Sequence, residues 1–434
     1  MRLVIVGNGA AGMQAALAAR RLAPAAEITV VSEESEHGFS RPALMYLLAG
    51  QLRLADTEPQ ERSTLAKHRL EMRRARAVGL DPVTKTLLLE GGALPYDRLL
   101  VATGAGPIAP PWPGSDLAGV GAFVTMADLA WLEDALGLTR SGIAPRPGPP
   151  PYGLRPGPRH RPVQAVAVIG GGPIALEVAE TLRALGRRVH LVVRQEWLAP
   201  MGLDGRQARW ITERARAAGV EVHAGASVER FEGEGALEAV VTSEGRVKVE
   251  LAVVAIGVAP NTGWLGGALA LDGHGAVQVD AGLAASAMDV FAAGDCAAAI
   301  GAAHPASWRI ARAQGLVAGQ RLAGQDARYA PGVWHDGGKF FDLEHTVVGA
   351  LGTPAVRYEL RHEERGAVRS CLRLAFGEAG LLGVSALGRR WDDGVLRRWI
   401  AAGRDEAFVL AHLPEAAFDA EFVPPLRAAA WERS

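Results

Sequence analysis

Cysteine is nearly absent from these 434 residues: Cys296 and Cys371 are the only two, far apart and in unlike surroundings. That excludes a disulfide framework, a Cys-x-x-Cys redox pair and a cysteine zinc site. Long apolar runs are missing too. No stretch approaches the ~18–20 uninterrupted apolar residues of a membrane span, and glycine breaks the first run too early for a signal peptide. Net charge is as scarce, with 46 Lys and Arg against 47 Asp and Glu, so no global field favours nucleic acid or an anionic membrane. Only local basic stretches such as Arg69 to Arg76 stand out. The expectation is a soluble, intracellular chain of the cytoplasm, with no residue assigned to a metal.

Glycine, by contrast, is abundant, with 53 in a chain that is 49% hydrophobic, as suits an α/β protein whose parallel strands are apolar throughout and whose nucleotide loops consume glycine. The length allows two or three domains. The chain is organised around its first residues. Leu3-Val4-Ile5-Val6 is a buried-strand run that leads directly into Gly7-Asn8-Gly9-Ala10-Ala11-Gly12, a G-x-G-x-x-G turn. A helix over residues 13–22 and a strand Ile28-Thr29-Val30-Val31 follow, ending at the acidic pair Glu33-Glu34. In such a unit Gly7 allows the tight turn, Gly9 lets a pyrophosphate approach the backbone and Gly12 lets helix pack on strand. The phosphates sit at the helix N-terminus, and Glu33, twenty-one positions after Gly12, is placed for ribose hydroxyls.

The fingerprint occurs twice. Ala165-Val166-Ala167-Val168-Ile169 is a strand, Gly170-Gly171-Gly172-Pro173-Ile174-Ala175 is G-x-G-x-x-A, and a helix over residues 176–185 leads to the strand Val189 to Val193. Two copies imply two dinucleotides, or one dinucleotide and a flavin dinucleotide. The second copy has no acid after its strand. Val193 is followed by Arg194, which suits a 2′-phosphate and tilts the preference from NADH toward NADPH, unless Arg194 is a solvated loop residue.

Between and after these units lie a loop into a helix near Pro42, paired strands around Gly91-Gly92, and the apolar strand Leu99-Leu100-Val101-Ala102 closing in Thr103-Gly104. Residues 143–162, dense in Pro, Gly and Arg, read as a loop or linker, either idle or a docking segment. Further strands end in Ile256-Gly257 and in Gly294-Asp295, and a helix spans residues 307–322. From Pro331 the texture becomes α+β, with strands such as Phe340-Phe341-Asp342-Leu343 and helices over 393–402 and 405–413.

Motifs in this order resemble the FAD-dependent pyridine nucleotide-disulfide oxidoreductase superfamily. Within it, the branch of rubredoxin and ferredoxin reductases and the flavin domain of nitrite reductases is the most similar. The resemblance rests on residues 7–12, Ser40-Arg41-Pro42, Ala102-Thr103-Gly104, residues 170–177, Ala255 to Asn261, and Phe291 to Cys296. It implies that Gly7, Gly9, Ala11, Gly12 and Glu33 hold the ADP half of FAD, with Thr103, Gly104 and Gly294 lining it. Asp295 would accept hydrogen bonds from the ribityl or pyrophosphate region, Trp308 would lie near the isoalloxazine, and Arg41 and Pro42 against the flavin. Gly170, Gly172, Pro173, Ile174, Ala175, Arg194 and Gly257 would serve NAD(P)H, with Glu177 facing the nicotinamide. Glu177, Trp308 and Arg41 are the catalytic candidates. Cys296 would be a buried bystander.

The departures narrow the chemistry. Neither a Cys-x4-Cys pair nor a cysteine between Phe39 and Gly50 occurs, which excludes thiol relays of the glutathione-reductase and coenzyme A disulfide reductase kinds. Met45-Tyr46 stands where the branch often has Ser-Lys, and Pro173 where some members have an aromatic gate. The expected activity is hydride transfer from NADPH or NADH to FAD, then electron transfer to a carrier such as rubredoxin or ferredoxin. A subunit of a larger reductase complex and a flavin-based redox-sensing protein are the alternatives. The expected fold is α/β: two Rossmann-like domains plus a C-terminal α+β interface domain, with a homodimer possible in this family. The FAD domain would take residues 1–115 and 251–330, the NAD(P)H domain 116–250 and the interface domain 331–434.

Overall fold

A strand buried on both faces has no room for polar residues, and the two parallel sheets obey this. The structure, a computed structural model, describes residues 1–142, 163–198, 202–299, 307–351, 357–365, 368–418 and 431–433. The Pro- and Arg-rich insert at 143–162 lies outside them. The chain divides into two compact units: Met1–Pro110 with Gly121–Arg159 and Gly257–Ala330, and Pro111–Val120 with His160–Ile256 and Pro331–Ser434.

In the first unit a five-stranded sheet runs in the order Val290–Ala292, Arg98–Val101, Arg2–Val6, Glu27–Ser32 and Leu70–Arg74, every pair parallel. The chain therefore leaves the sheet after Val101 and returns beside that strand only at Val290, which closes one core around Leu3, Ile5, Val30, Leu100 and Val290. Helix Ala10–Leu22 follows the first glycine turn, and helix Trp308–Leu322 lies against it. Their approach is close because small residues face each other. A methyl group on Gly315 would stand 2.3 Å from the carbonyl oxygen of Ala11, and one on Gly319 2.5 Å from that of Ala15. The expected hairpin is present, its strands Thr86–Leu89 and Gly92–Pro95 pairing Leu89 with Gly92, so the loop is Glu90-Gly91, one residue earlier than expected.

The second unit holds the other parallel sheet, in the order Glu221–Ala224, Arg188–Val193, Ala165–Ile169 and Leu251–Val254. Two expected boundaries move. Leu251–Val254 pairs with Ala165–Ile169 and so belongs to this sheet, not to a returning FAD segment that begins at 251. Helix Met126–Leu136, expected in the NAD(P)H domain, lies in the first unit against Leu44–Leu48. Its start is held by a capping box in which Asp128 Oδ2 accepts the Thr125 and Val124 amides at 2.7 and 2.9 Å.

The region from Pro331 is α+β as expected, a six-stranded antiparallel sheet covered by helices Asp393–Ala401 and Glu406–His412 around Leu396, Trp399 and Val409. It is not a separate compact unit. The Phe341 amide donates to Glu180 at 2.9 Å, Ser385 Oγ donates to Gln207 Oε1 at 2.8 Å, and Arg373 pairs with Asp204 at 3.4 Å. The single strand expected over residues 340–343 is instead a hairpin. His335–Phe340 and Leu343–Gly349 pair Phe340 with Leu343, and Phe341 and Asp342 form the two-residue loop at φ of 48° and 67°.

Candidate functional site

The first turn is fixed by backbone contacts that only glycine allows. Gly7, at a φ of 111°, donates its amide to Val31 at 2.8 Å, and a Cβ there would lie 2.1 Å from the Ala102 oxygen. A Cβ on Gly12 would meet the Gly7 oxygen at 1.9 Å, whereas one on Gly9 would meet nothing within 4 Å. The helix start at Gly9 has no side-chain cap. The amides of its first turn therefore have no side-chain acceptor from the cap residue, which is the arrangement an anionic phosphate fits.

Neighbouring loops converge on this turn. Thr103 Oγ1 donates to the Asn261 oxygen at 2.7 Å, and Asn261 Nδ2 returns a bond to the Thr103 oxygen at 3.1 Å, with Asn261 N to Gly104 O at 2.9 Å. Gly294, at a φ of 80°, packs so close that a Cβ there would lie 3.1 Å from the Ala11 methyl, and it donates its amide to the buried Gln314 at 2.7 Å. Gly7, Gly9, Ala11, Gly12, Thr103, Gly104 and Gly294 are therefore brought together. Trp308, 41% exposed, joins Asn8, Gly9, Ala10 and Phe39 around a pocket of about 110 Å³. Arg312 stands 5.6 Å over its ring.

The acidic residues divide their work. Glu33 is half-exposed and 3.7 Å from Arg76. Glu34 grips Arg41 through two bonds of 2.8 and 3.2 Å and accepts the Met126 amide at 2.8 Å, while Arg41 also donates to the Val124 carbonyl. Burial disfavours the Arg41 charge, yet Glu34, with smaller help from Asp128 and Asp295, raises its pKa further. Arg41 is thus held as a fixed cation in the field of Asp295. Pro42 beside it is exposed at the second position of the short 3₁₀ turn Arg41–Ala43.

The second turn repeats the first. Gly170, at a φ of 137°, donates to Val192 at 3.0 Å, and a Cβ there would sit 2.2 Å from the Ala255 oxygen. Gly172 opens helix Pro173–Ala184 with no side-chain cap and nothing within 4 Å of a Cβ. Pro173 is exposed, Ile174 partly so, and Ala175 is buried in the helix's first turn. A methyl group on Gly171 would reach Val193 Cγ1 at 2.8 Å and Gln195 Oε1 at 3.7 Å; Arg194 is exposed. Gly257 is grouped with the first unit, where its oxygen accepts the Ile108 amide at 3.1 Å.

A family model described as pyridine nucleotide-disulphide oxidoreductase matches residues 1–315. The chain belongs to that family. It is 32% identical over 304 residues to the ferredoxin–NAD(+) reductase component of a biphenyl dioxygenase system from Paraburkholderia xenovorans, covering 68% of this chain and 67% of that one. Against the corresponding component of a p-cumate 2,3-dioxygenase system from Pseudomonas putida the identity is 28% over 408 residues, 92% of this chain and 93% of the relative. A solved ferredoxin reductase from Rhodopseudomonas palustris is 25% identical with a TM-score of 0.78, covering 96% of this chain and all of that one. This member of the pyridine nucleotide-disulphide oxidoreductases is accordingly an oxidoreductase that uses FAD and NAD(P)H.

The two open, uncapped glycine turns fit that pair of cofactors. The disulphide of the family's name has no counterpart here. Both cysteines are free and buried. Burial raises the Cys296 thiol above its ordinary range and pushes Cys371, with Asp204 adding, to about 11, so neither offers a ready thiolate.

Glu177 stands one turn into the second unit's nucleotide helix. Burial, reinforced by Glu180 and Asp336, pushes its carboxyl up to about 7. Asn8 and Gln314 were not singled out from sequence. Asn8 Nδ2 donates to the Ser35 oxygen at 2.9 Å and its Oδ1 accepts from Ser32 at 3.0 Å, tying the glycine turn to the acidic loop. Gln314 shows in sequence as the polar member of Ala313-Gln314-Gly315, a run similar to the segment that closes the FAD domain in the rubredoxin and ferredoxin reductase branch, with no role attached to it.

Proposed function

We propose that the protein draws reducing equivalents from NAD(P)H and delivers them to a small electron-carrier protein of the ferredoxin or rubredoxin kind. Bound FAD would supply the conversion of two-electron hydride chemistry into single-electron transfer. The observation that carries this reading is the pairing of two complete nucleotide turns with two inert, buried thiols, which leaves no sulfur of the chain to relay electrons. The relatives named as ferredoxin–NAD(+) reductase components support a protein acceptor.

In this reading Gly7, Gly9, Ala11 and Gly12 receive the FAD pyrophosphate, Glu33 its ribose, and Thr103, Gly104, Gly294 and Asp295 line it. Arg41 and Pro42, with Trp308, flank the flavin. Arg41 acts as a charge already neutralised by Glu34, so its part is to position rather than to donate protons. Gly170, Gly172, Pro173, Ile174 and Ala175 take the nicotinamide nucleotide, Gly257 assists, and Glu177 faces the nicotinamide. A preference for NADPH follows from Arg194 standing beyond a strand end that offers no carboxylate. The same reading puts a homodimer in the cytoplasm, which sedimentation and fractionation would check.

Anaerobic stopped-flow reduction with NADH and NADPH in parallel, followed by a panel of acceptors, tests the proposal. The yellow protein should bleach with NAD(P)H and reoxidise faster with an added iron-sulfur or rubredoxin carrier than with oxygen. A preparation that cannot be reconstituted with FAD, or one that prefers oxygen to every carrier, would remove it.

A further inference from the structure

Away from both glycine turns, the edge of the second unit's sheet holds a cluster that the activity does not use. Successive strand residues alternate faces, so Glu221 and His223 share one face of Glu221–Ala224. The parallel register sets His190 beside Glu221 and Val192 beside His223. All three side chains therefore meet. His190 Nδ1 lies 3.3 Å from Glu221 Oε2 and 3.2 Å from His223 Nε2, and the three donor atoms fall within 4.8 Å of one another.

Two imidazoles and a carboxylate converge here through atoms that each bring a lone pair. One proton on His190 Nδ1 cannot satisfy both neighbours, and a proton on His223 instead leaves the carboxylate facing a lone pair. A cation resolves all three at once. In a tetrahedral zinc site with bonds of ~2.0–2.1 Å, ligand atoms are about 3.3 Å apart, which is the spacing of His190 Nδ1 from its two neighbours. Nitrogen-rich donors disfavour calcium and magnesium and suit zinc or its neighbours.

We infer that His190, Glu221 and His223 form a binding site for a borderline divalent cation such as Zn²⁺, clamping the edge strand Glu221–Ala224 to Arg188–Val193. The site is approachable, because Glu221 is 55% exposed while His190 is buried at 9%. Three protein ligands leave a fourth position for water.

The test uses the full-length flavoprotein, stripped with a chelator and titrated with zinc chloride alone, bound metal being counted by mass spectrometry and affinity measured by calorimetry. Wild type should take one zinc per chain at this site. His223→Gln should weaken it about 100-fold and Glu221→Gln about 10-fold, with flavin content and metal-free melting unchanged. Should His223→Gln fail to fold, the exposed Glu221→Gln decides alone. No stoichiometric zinc in wild type, or wild-type affinity in either folded variant, overturns the inference.

Discussion

Glu177 shows how much a single side chain can report. Its ordinary carboxyl value of 4.5 is raised to about 7, so the folded chain holds that proton more tightly than the unfolded one. Its contribution to stability is then unimpaired below pH 4.5, declines as pH rises toward 7, and is lowest above it. The cost of the buried carboxylate above pH 7 is about 1–3 kcal/mol. Glu177→Gln should therefore raise the thermal midpoint by a few degrees at pH 8 and leave it unchanged at pH 4.5, as calorimetry at the two pH values would show. If Glu177 faces the nicotinamide, the same substitution should also remove an inflection near pH 7 from the pH profile of KM for NAD(P)H. Arg194 permits a second test at this scale. Arg194→Glu should raise KM for NADPH about 10-fold or more while leaving NADH within a factor of about two, in line with loss of a 2′-phosphate partner. Equal effects on the two cofactors would make Arg194 an ordinary surface residue.

Helices Ala10–Leu22 and Trp308–Leu322 show what is legible at the scale of elements. Both were expected from composition and flanking signals, and so were the strands that end in Gly7, Gly104 and Gly170, because an apolar run followed by glycine states its own end. Their pairing was not legible. Gly315 reads as a weak point in a helix, where alanine would normally gain up to ~1 kcal/mol, yet a methyl group there meets the Ala11 carbonyl at 2.3 Å. Gly315→Ala should destabilise by about 1–3 kcal/mol, because overpacking against backbone outweighs propensity, and it should weaken FAD retention, since Ala11 lies in the first glycine turn. Denaturant melts and flavin content after gel filtration would show both; a more stable, fully yellow variant would refute the packing argument. Two further features escaped the sequence for related reasons. Phe341-Asp342 forms a hairpin loop without the glycine that would announce it. His190 lies thirty-one residues before Glu221, so only the strand register of the folded sheet brings them together.

For the molecule as a whole, the two parallel sheets have separate cores, one around Leu3, Val30 and Leu100 and the other around Ala167, Val192 and Val254. A ligand that binds only the folded state stabilises what it touches by mass action, about 4.1 kcal/mol at a thousandfold excess over Kd. If FAD occupies the first glycine turn and each core opens on its own, stripping FAD should act on one sheet far more than on the other. Hydrogen exchange of the FAD-free protein should show the amides of Arg2–Val6 and Val290–Ala292 losing protection, while those of Ala165–Ile169 keep it. Returning FAD should restore the first set and raise the thermal midpoint with the logarithm of its concentration. Saturating NAD(P)H without FAD should instead protect Ala165–Ile169 and leave Arg2–Val6 unchanged. Equal loss in both sheets on FAD removal would mean that the cores unfold as one, and a flat response to FAD would mean that the first turn is not where it binds.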